Sequence, residues 1–248
     1  MIKQFALHNK SKIYPTFPTW EPIIKALNVQ LGNHVGPLLG VSVPFITHYS
    51  NEPYLADNAF VIHIMDEPDV DGALGYHDEA PNGRAYGRVF VKPTLDNGGT
   101  LSTGSNSVSV TLSHELIEAV GDEHVQLWAT NFNTGHLVAY ENCDPVEADE
   151  GYEIHGIAVS NFVTDLWFDA QAKAGQQFDF LNRLKAPFSL STGGYMTVSD
   201  GRQTSQVYAD GYPQWKKDLK LKYGRQGTRK ASWQTTESPL LASTRPEP

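Results

Sequence analysis

The sequence predicts an α+β protein in which a mixed β-sheet packs on an N-terminal helix and on a second helix near the middle of the chain, followed by a smaller C-terminal part. Short stretches of strand character and one helical stretch alternate in the first third of the chain, and apolar residues recur at helical spacing in residues 110–124. The 248 residues have 40% hydrophobic content, which is enough for one large core or for a core with an appendage. We expect one domain over residues 1–225 and a flexible tail over residues 226–248, where Thr, Ser, Pro and charged residues dominate.

The N-terminal elements are predicted from local pattern. Residues 3–8 have strand character, and residues 20–31 form a helical stretch with prolines near its start and a glycine near its end. Residues 44–49 and 59–65 are two further strands. The second of them is almost continuously apolar, so we expect it to lie in the centre of the sheet.

A hairpin and then a helix are predicted in the middle of the chain. Residues 72–77 and 86–91 flank a polar turn that contains Pro, Asn and Gly, which indicates two antiparallel strands. A linker rich in Gly and Ser leads to the helical stretch around residues 110–124. The elements predicted after that helix are strands at 137–141 and 152–160, an aromatic core segment at 161–174, a closing segment at 188–198, and a last strand with a short helix at 206–222.

The central helix carries the residues that most strongly indicate chemistry. His114 and Glu118 are four residues apart, so their side chains project from the same helical face and are close enough to bind one ion. Glu115 points beside them, in the position of a general base for a water molecule on that ion. A carboxylate is an acceptable zinc ligand, but its negative charge makes the ion a weaker Lewis acid than a second histidine would.

This helix resembles the metal-binding helix of zincins, and with Gly121 and His124 it is similar to the longer motif of metzincin peptidases. Glu118 stands where those enzymes have a histidine. The resemblance implies that Gly121 takes a left-handed conformation and turns the chain so that His124 returns as the third ligand. It also implies a methionine beneath the metal, for which Met196 is the candidate; the simpler alternative for Gly121 is an ordinary helix cap.

A second resemblance gives a different third ligand. The helix motif, followed by Glu141 and Asp144, is similar to the zincin-like core of uncharacterised phage and bacterial proteins and, more distantly, to plant phosphate-induced proteins of the Exordium type. This resemblance extends from about Phe60 to Met196. It implies that Glu141 binds the metal and that Asp144 orients His114. The two resemblances leave His124 and Glu141 as alternatives.

Together the resemblances imply a zincin-like fold, one Zn²⁺ ion and hydrolysis of a peptide or protein substrate with Glu115 as catalytic base. They also imply that an edge strand, for which either arm of the predicted hairpin is a candidate, pairs with the substrate backbone. Tyr140 and Tyr195 are candidates for stabilising the oxyanion, and packing is the alternative for both. A non-catalytic module stabilised by the metal, in a phage or secreted assembly, is the second hypothesis. A calcium-stabilised module is the third, and it depends only on the acidic loop 144–150.

The composition argues against some classes of binding partner and favours one cellular compartment. A net charge of −9 with 19 Lys and Arg argues against nucleic acid and anionic membranes, because phosphate binding needs a concentrated basic face. Cys143 is the only cysteine, so the sequence gives no sign of an oxidising compartment. No apolar run reaches the length of a membrane span, and the first ten residues lack the apolar region of a signal peptide. We therefore expect a cytoplasmic product, while release by lysis or a dedicated secretion machine would leave no mark in the sequence.

The histidines outside the motif carry little information individually. His63 lies in an apolar strand and is predicted to be a hydrogen-bonded core side chain rather than a ligand. His77, in the first arm of the hairpin, receives no role from the sequence.

Overall fold

The structure is a computed structural model that describes residues 2–54, 56, 58–69, 73–147 and 151–217. Within these residues the α+β class is confirmed, because two larger sheets and a small hairpin occur together with helices. The predicted tail at 226–248, the end of the acidic loop and the end of the last predicted helix lie outside the described residues. No helix in the described part of the chain is both long enough and apolar enough to cross a membrane.

The larger sheet is built from five strands: β1 (Gln4–Asn9), β2 (Ile46–Ser50), β3 (Ala59–Met65), β4 (Gly75–Glu79) and β5 (Ala85–Phe90). Their order is β2-β1-β3-β5-β4. Strands β2, β1, β3 and β5 pair in parallel, whereas β4 is antiparallel to β5 and ends the order. The sheet is therefore mixed, and the almost continuously apolar β3 lies at its centre.

Two helices cover one face of this sheet. α1 (Phe17–Gln30) begins three residues before the predicted start, because Thr16 is extended and Pro18 fits the first turn, where its missing N–H costs nothing. A π-helical turn (Leu31–Val35) and the short α2 (Gly36–Leu39) continue it. After α3 (Val91–Asp96), the central helix α4 (Val108–Gly121) packs on the same core. That core includes the fully buried side chains of Phe5, Leu7, Trp20, Leu27, Phe60, Ile62, Leu112 and Leu116.

The end of α4 differs from the expectation for a left-handed glycine. Gly121 is the last helical residue and does not have a positive φ, and the chain leaves the helix through Asp122, whose φ is −143° and ψ is 76°. The expected left-handed turn at Gly121 is therefore wrong. A glycine is needed there for another reason, because a Cβ atom at this position would lie 2.1 Å from Oδ1 of Asn142.

The C-terminal part forms a second sheet and a hairpin from these strands: β6 (Trp128–Asn131), β7 (His136–Ala139), β8 (Tyr152–Ile154), β9 (Ile157–Val159), β10 (Tyr195–Ser199) and β11 (Thr204–Tyr208). The sheet order is β11-β10-β7-β6, and β8 and β9 form a separate two-stranded sheet. The single strand expected at 152–160 is wrong, because His155 and Gly156 have positive φ and turn the chain back on itself. The aromatic segment is mainly irregular, with one 3₁₀ turn, and Phe162 and Trp167 are fully buried in it.

Candidate metal centre

Seven side chains with metal-ligating or acid–base chemistry meet beside α4. The helix supplies three of them, β4 supplies one, and the segment after β7 supplies three. Each is at most 8% exposed, although charged residues are rarely buried unless they are paired or bind a metal. The seven are His77, His114, Glu115, Glu118, Glu141, Cys143 and Asp144.

One group of ligating atoms surrounds the ring of His114. Its Nε2 atom lies 3.0 Å from Oε1 of Glu118, one helical turn away, as the spacing in the sequence predicts. The same Nε2 atom lies 3.3 Å from Oδ1 of Asp144. One ring nitrogen carries either one proton or one lone pair, so it cannot form a good hydrogen bond with both carboxylates. A cation beside this nitrogen could bind His114 together with either carboxylate.

A second group surrounds His77, on the strand at the edge of the sheet. Its Nδ1 atom lies 3.3 Å from Oε2 of Glu115 and 3.8 Å from Oε2 of Glu118. Its Nε2 atom lies 4.0 Å from Oε2 of Glu141. The ligating atoms of His77, Glu118 and Glu141 fall within 4.8 Å of one another, as do those of His114, Glu118 and Cys143. Glu118 belongs to both groups.

The orientation of the His77 ring follows from a backbone contact. Its Nε2 atom is 3.1 Å from the carbonyl oxygen of Asp122, and a carbonyl oxygen can only accept a hydrogen bond. Nε2 therefore carries the hydrogen, and Nδ1 is directed towards Glu115 and Glu118. Histidines that bind metals commonly donate their other ring N–H to a carbonyl or a carboxylate in this way.

The segment Glu141–Asp144 is held against α4 by its own backbone. The amide nitrogen of Cys143 donates to Oε1 of Glu118 over 3.3 Å. Asn142 forms two hydrogen bonds with Val163. Its side-chain amide donates to the carbonyl oxygen of Val163, and its backbone carbonyl oxygen accepts from the amide of Val163. The chain then enters a 3₁₀ turn at Asp144, which Pro145 favours through its fixed φ. These contacts fix the segment so that its carboxylates face the helix.

Asp122 has a different role from the carboxylates of the cluster. Its Oδ1 and Oδ2 atoms accept hydrogen bonds from the backbone amides of Gln126 and Leu127, over 3.0 and 2.8 Å. These two bonds close the loop that follows α4. Asp122 therefore builds the turn and, through its carbonyl oxygen, holds the His77 ring.

Burial and neighbouring charge shift the acid–base behaviour of the cluster. Burial lowers the pKa of His114, but the carboxylates of Glu118 and Asp144 outweigh burial, and the pKa lies well above its usual value. Burial raises the pKa of Glu118 to about 7, with Glu141 and Asp144 adding to the rise and His114 opposing it. Burial also raises the pKa of Cys143, which keeps it a thiol. Metal ions require deprotonated ligands, so metal binding here would release protons.

The two candidates for the third ligand lie in different surroundings. Glu141 is in the buried group around His77. His124 is one-third exposed, and its Nδ1 atom is 2.5 Å from Oε2 of Glu79 at the end of β4. Met196 lies on β10 and packs against the C-terminal core around Trp167.

The two tyrosines considered for oxyanion stabilisation make other contacts. The hydroxyl of Tyr140 donates to Asp165 over 2.6 Å, and its ring stacks on Phe168. Tyr195 packs against Tyr208 and Tyr212 in the second sheet. Both tyrosines therefore have packing roles.

Sequence reasoning missed His77. The predicted hairpin contained the signal, because side chains alternate along a strand and every second residue of β4 faces the helix. Tyr76 and Asp78 lie on the opposite face, which α1 and α4 leave uncovered. In the folded sheet His77 lies opposite Gly87, and the sequence alone does not reveal this register.

Comparisons of the chain with models of protein families, with curated proteins and with solved structures find no match.

Proposed function

We propose that this protein is a zincin-like, metal-dependent hydrolase of peptide bonds. The contact of Nε2 of His114 with Oε1 of Glu118 at 3.0 Å, beside Glu115 on the same buried helix, carries the proposal. Two ligands bound tetrahedrally to one zinc ion at about 2.1 Å are about 3.4 Å apart. The contact of Asp144 with the same nitrogen, at 3.3 Å, fits this spacing too.

The donor set suits a divalent transition metal. Imidazole together with carboxylate oxygens is a usual zinc environment, and a calcium site would use oxygen ligands alone. In the proposed site His114, Glu118 and Asp144 hold the ion. The proposal assigns Asp144 a ligand role rather than the orienting role that the resemblance implied, because it faces the same ring nitrogen as Glu118 does. His124, which contacts Glu79, is not used.

The chain supplies the remaining chemistry. A zinc ion in such a site makes water more acidic and polarises a carbonyl group. Glu115 takes the proton of the attacking water and passes it to the amine that leaves. Nδ1 of His77 lies 3.3 Å from Oε2 of Glu115, so the second histidine of the cluster is beside the proposed base.

The relation between β4 and α4 supports the zincin-like part of the proposal. β4 ends the order of the sheet beside α4, where zincins bind extended peptides. The approach is close at Gly75, where a Cβ atom would lie 2.6 Å from Thr111 and 3.0 Å from Glu115. A substrate paired with β4 would therefore pass beside the proposed base.

One observation favours a second candidate, a non-catalytic module that the metal stabilises. The side chains of the cluster are at most 8% exposed, so a substrate carbonyl reaches them only if the surrounding segments move apart. A closed zinc site with no position open to water is typical of structural metal.

The experiment combines metal content with hydrolysis of a peptide library. We expect the purified wild type to hold zinc and to cleave members of the library, and we expect Glu115→Gln to keep the zinc and lose the cleavage. Glu153→Gln, which changes an exposed glutamate on β8, is the matched control and should behave as the wild type. A zinc-loaded wild type that cleaves no peptide would establish the second candidate. A wild type without metal would overturn both.

A further inference from the structure

We propose that the buried cluster binds a pair of divalent cations, with the carboxylate of Glu118 bridging them. His114 and Asp144 complete the first site, and His77 and Glu141 complete the second. This inference rests on the proposed metal-binding function and adds a second ion to it.

The two oxygens of Glu118 face two different histidines. Oε1 lies 3.0 Å from Nε2 of His114, on the α4 side of the cluster. Oε2 lies 3.8 Å from Nδ1 of His77, on the β4 side. A carboxylate that uses one oxygen for each of two ions is the bridge expected in a two-metal site, whose ions are about 3.5–4 Å apart.

Each half of the cluster has its own histidine and its own further carboxylate. In the described part of the chain, the histidine that Asp144 contacts is His114 and not His77. Its Oδ1 atom is buried and forms no hydrogen bond with any described residue, so it is directed into the first site. On the other side, Oε2 of Glu141 lies 4.0 Å from Nε2 of His77, and the ligating atoms of His77, Glu118 and Glu141 lie within 4.8 Å of one another.

The ring of His77 is already oriented for a ligand. Its Nε2–H donates to the carbonyl oxygen of Asp122, and this fixes Nδ1 towards two carboxylates. Nδ1 lies 3.3 Å from a carboxylate oxygen of Glu115 and 3.8 Å from one of Glu118, so a cation bound at Nδ1 would lie beside two acidic side chains. Their attraction would favour a divalent cation there.

The charge of the cluster matches two ions. Glu115, Glu118, Glu141 and Asp144 are all at most 3% exposed and together carry four negative charges when ionised. One divalent cation would balance two of these charges. Two divalent cations neutralise the four carboxylates.

The ligands select the class of metal. Each site offers one imidazole and carboxylate oxygens, a mixture that suits Zn²⁺, Mn²⁺ or Fe²⁺ rather than Ca²⁺. Cys143 lies close enough to join the first site, but its thiol is directed at the carbonyl oxygen of His114, with 3.8 Å between Sγ and oxygen. The proposal therefore uses oxygen and nitrogen ligands only.

The test measures metal stoichiometry and metal–metal coupling on the full chain. Metal-free protein is saturated with Mn²⁺ or Zn²⁺, freed of excess and analysed for bound metal, and the Mn²⁺ form is examined by electron paramagnetic resonance. We expect two equivalents in the wild type and the spectrum of a magnetically coupled pair with Mn²⁺. Glu141→Gln and His77→Asn should each retain one equivalent and lose the coupling.

Two controls make the outcomes distinct. Glu153→Gln should keep two coupled ions, and circular dichroism of each metal-free variant shows whether it has folded; Glu141→Gln is nearly isosteric and guards against failure of His77→Asn. One equivalent in the wild type overturns the pair and leaves the proposed function intact. No metal overturns both. Two ions without coupling, or two ions retained in Glu141→Gln, overturn the bridged arrangement.

Discussion

The side-chain oxygen of Asn142 lies directly over the last residue of α4, so that a Cβ atom at Gly121 would be only 2.1 Å from it. Asn142 is fully buried and lies between Glu141 and Cys143. The absence of a side chain at Gly121 therefore brings two carboxylates, Glu141 and Asp144, against the helix that carries His114. The glycine acts through close packing and not through a left-handed backbone.

Replacing Gly121 by Ala should destabilise the protein and weaken metal binding together. The methyl group must displace the Glu141–Asp144 segment, and overpacking of this kind costs about 1–3 kcal/mol. Chemical unfolding of the metal-free protein measures the cost. In an Asn142→Ala background the same substitution should cost less, because the clashing oxygen is gone. Equal costs in the two backgrounds would show that the contact is not what requires glycine.

How well the sequence predicts a contact in the site depends on how many residues separate the two partners along the chain. His114 and Glu118 are brought together by helix geometry alone, and their spacing predicts the observed contact. His77 contacts Glu115 across 38 residues, and that contact depends on which face of the sheet α4 covers. Periodicity within one segment carries no information about this choice.

The strands differ in how well the sequence predicts them. β3 has seven residues, and its continuous apolar sequence marks it as central. β6, which has four residues, and the three-residue strands of the β8–β9 hairpin are too short to show a period. In the C-terminal part, burial of Trp167 and Phe162 determines the structure more than local propensity does.

A buried hydrogen-bond network ties α1 to α4, and we expect it to be important for stability. Gln30 donates to the carbonyl oxygen of Ser160 over 2.9 Å and accepts a hydrogen bond from the Ser113 hydroxyl over 2.7 Å. Gln30→Leu would remove the donor to the Ser160 carbonyl oxygen and the acceptor of the Ser113 hydroxyl, at about 1–3 kcal/mol. Denaturant unfolding should show this loss. Gln171→Leu, at an exposed position, should cost less than about 0.5 kcal/mol, and a similar loss there would contradict the network argument.

His63 should make the protein less stable in mild acid. Burial, aided by Lys10 and His8, lowers its pKa from 6.5 to about 4. Because the folded state holds the neutral form, the stability from this group is complete above pH 6.5 and is lost as the pH falls towards 4. The side chain is only partly buried, so after allowance for solvent screening we expect an effect of about 1–2 kcal/mol.

The measurement for His63 is a comparison of unfolding free energies at pH 7 and pH 4.5. His63→Gln should lose less stability over this interval than the wild type, because the amide does not titrate there. Titration of the metal cluster contributes equally to both proteins and cancels in the difference. His136→Gln, at an exposed position, should follow the wild type. A His63→Gln protein as sensitive to acid as the wild type would contradict the assignment.

The last prediction concerns the ligands of the ion at His114. Oδ1 of Asp144 faces the metal-binding nitrogen of His114 at 3.3 Å, whereas the imidazole of His124 contacts Glu79 and is one-third exposed. We therefore expect Asp144→Asn to weaken zinc binding by more than about 100-fold, beyond the effect of losing a residue that only orients a ligand. His124→Ala should leave zinc affinity within about threefold of the wild type. It removes only the partly exposed contact with Glu79, and such surface contacts are worth about 0–1 kcal/mol. Competition with a chromophoric chelator measures both affinities. A strong loss in His124→Ala, with Asp144→Asn unaffected, would mean that the ion is bound in the metzincin manner and that His124 leaves Glu79 when metal binds.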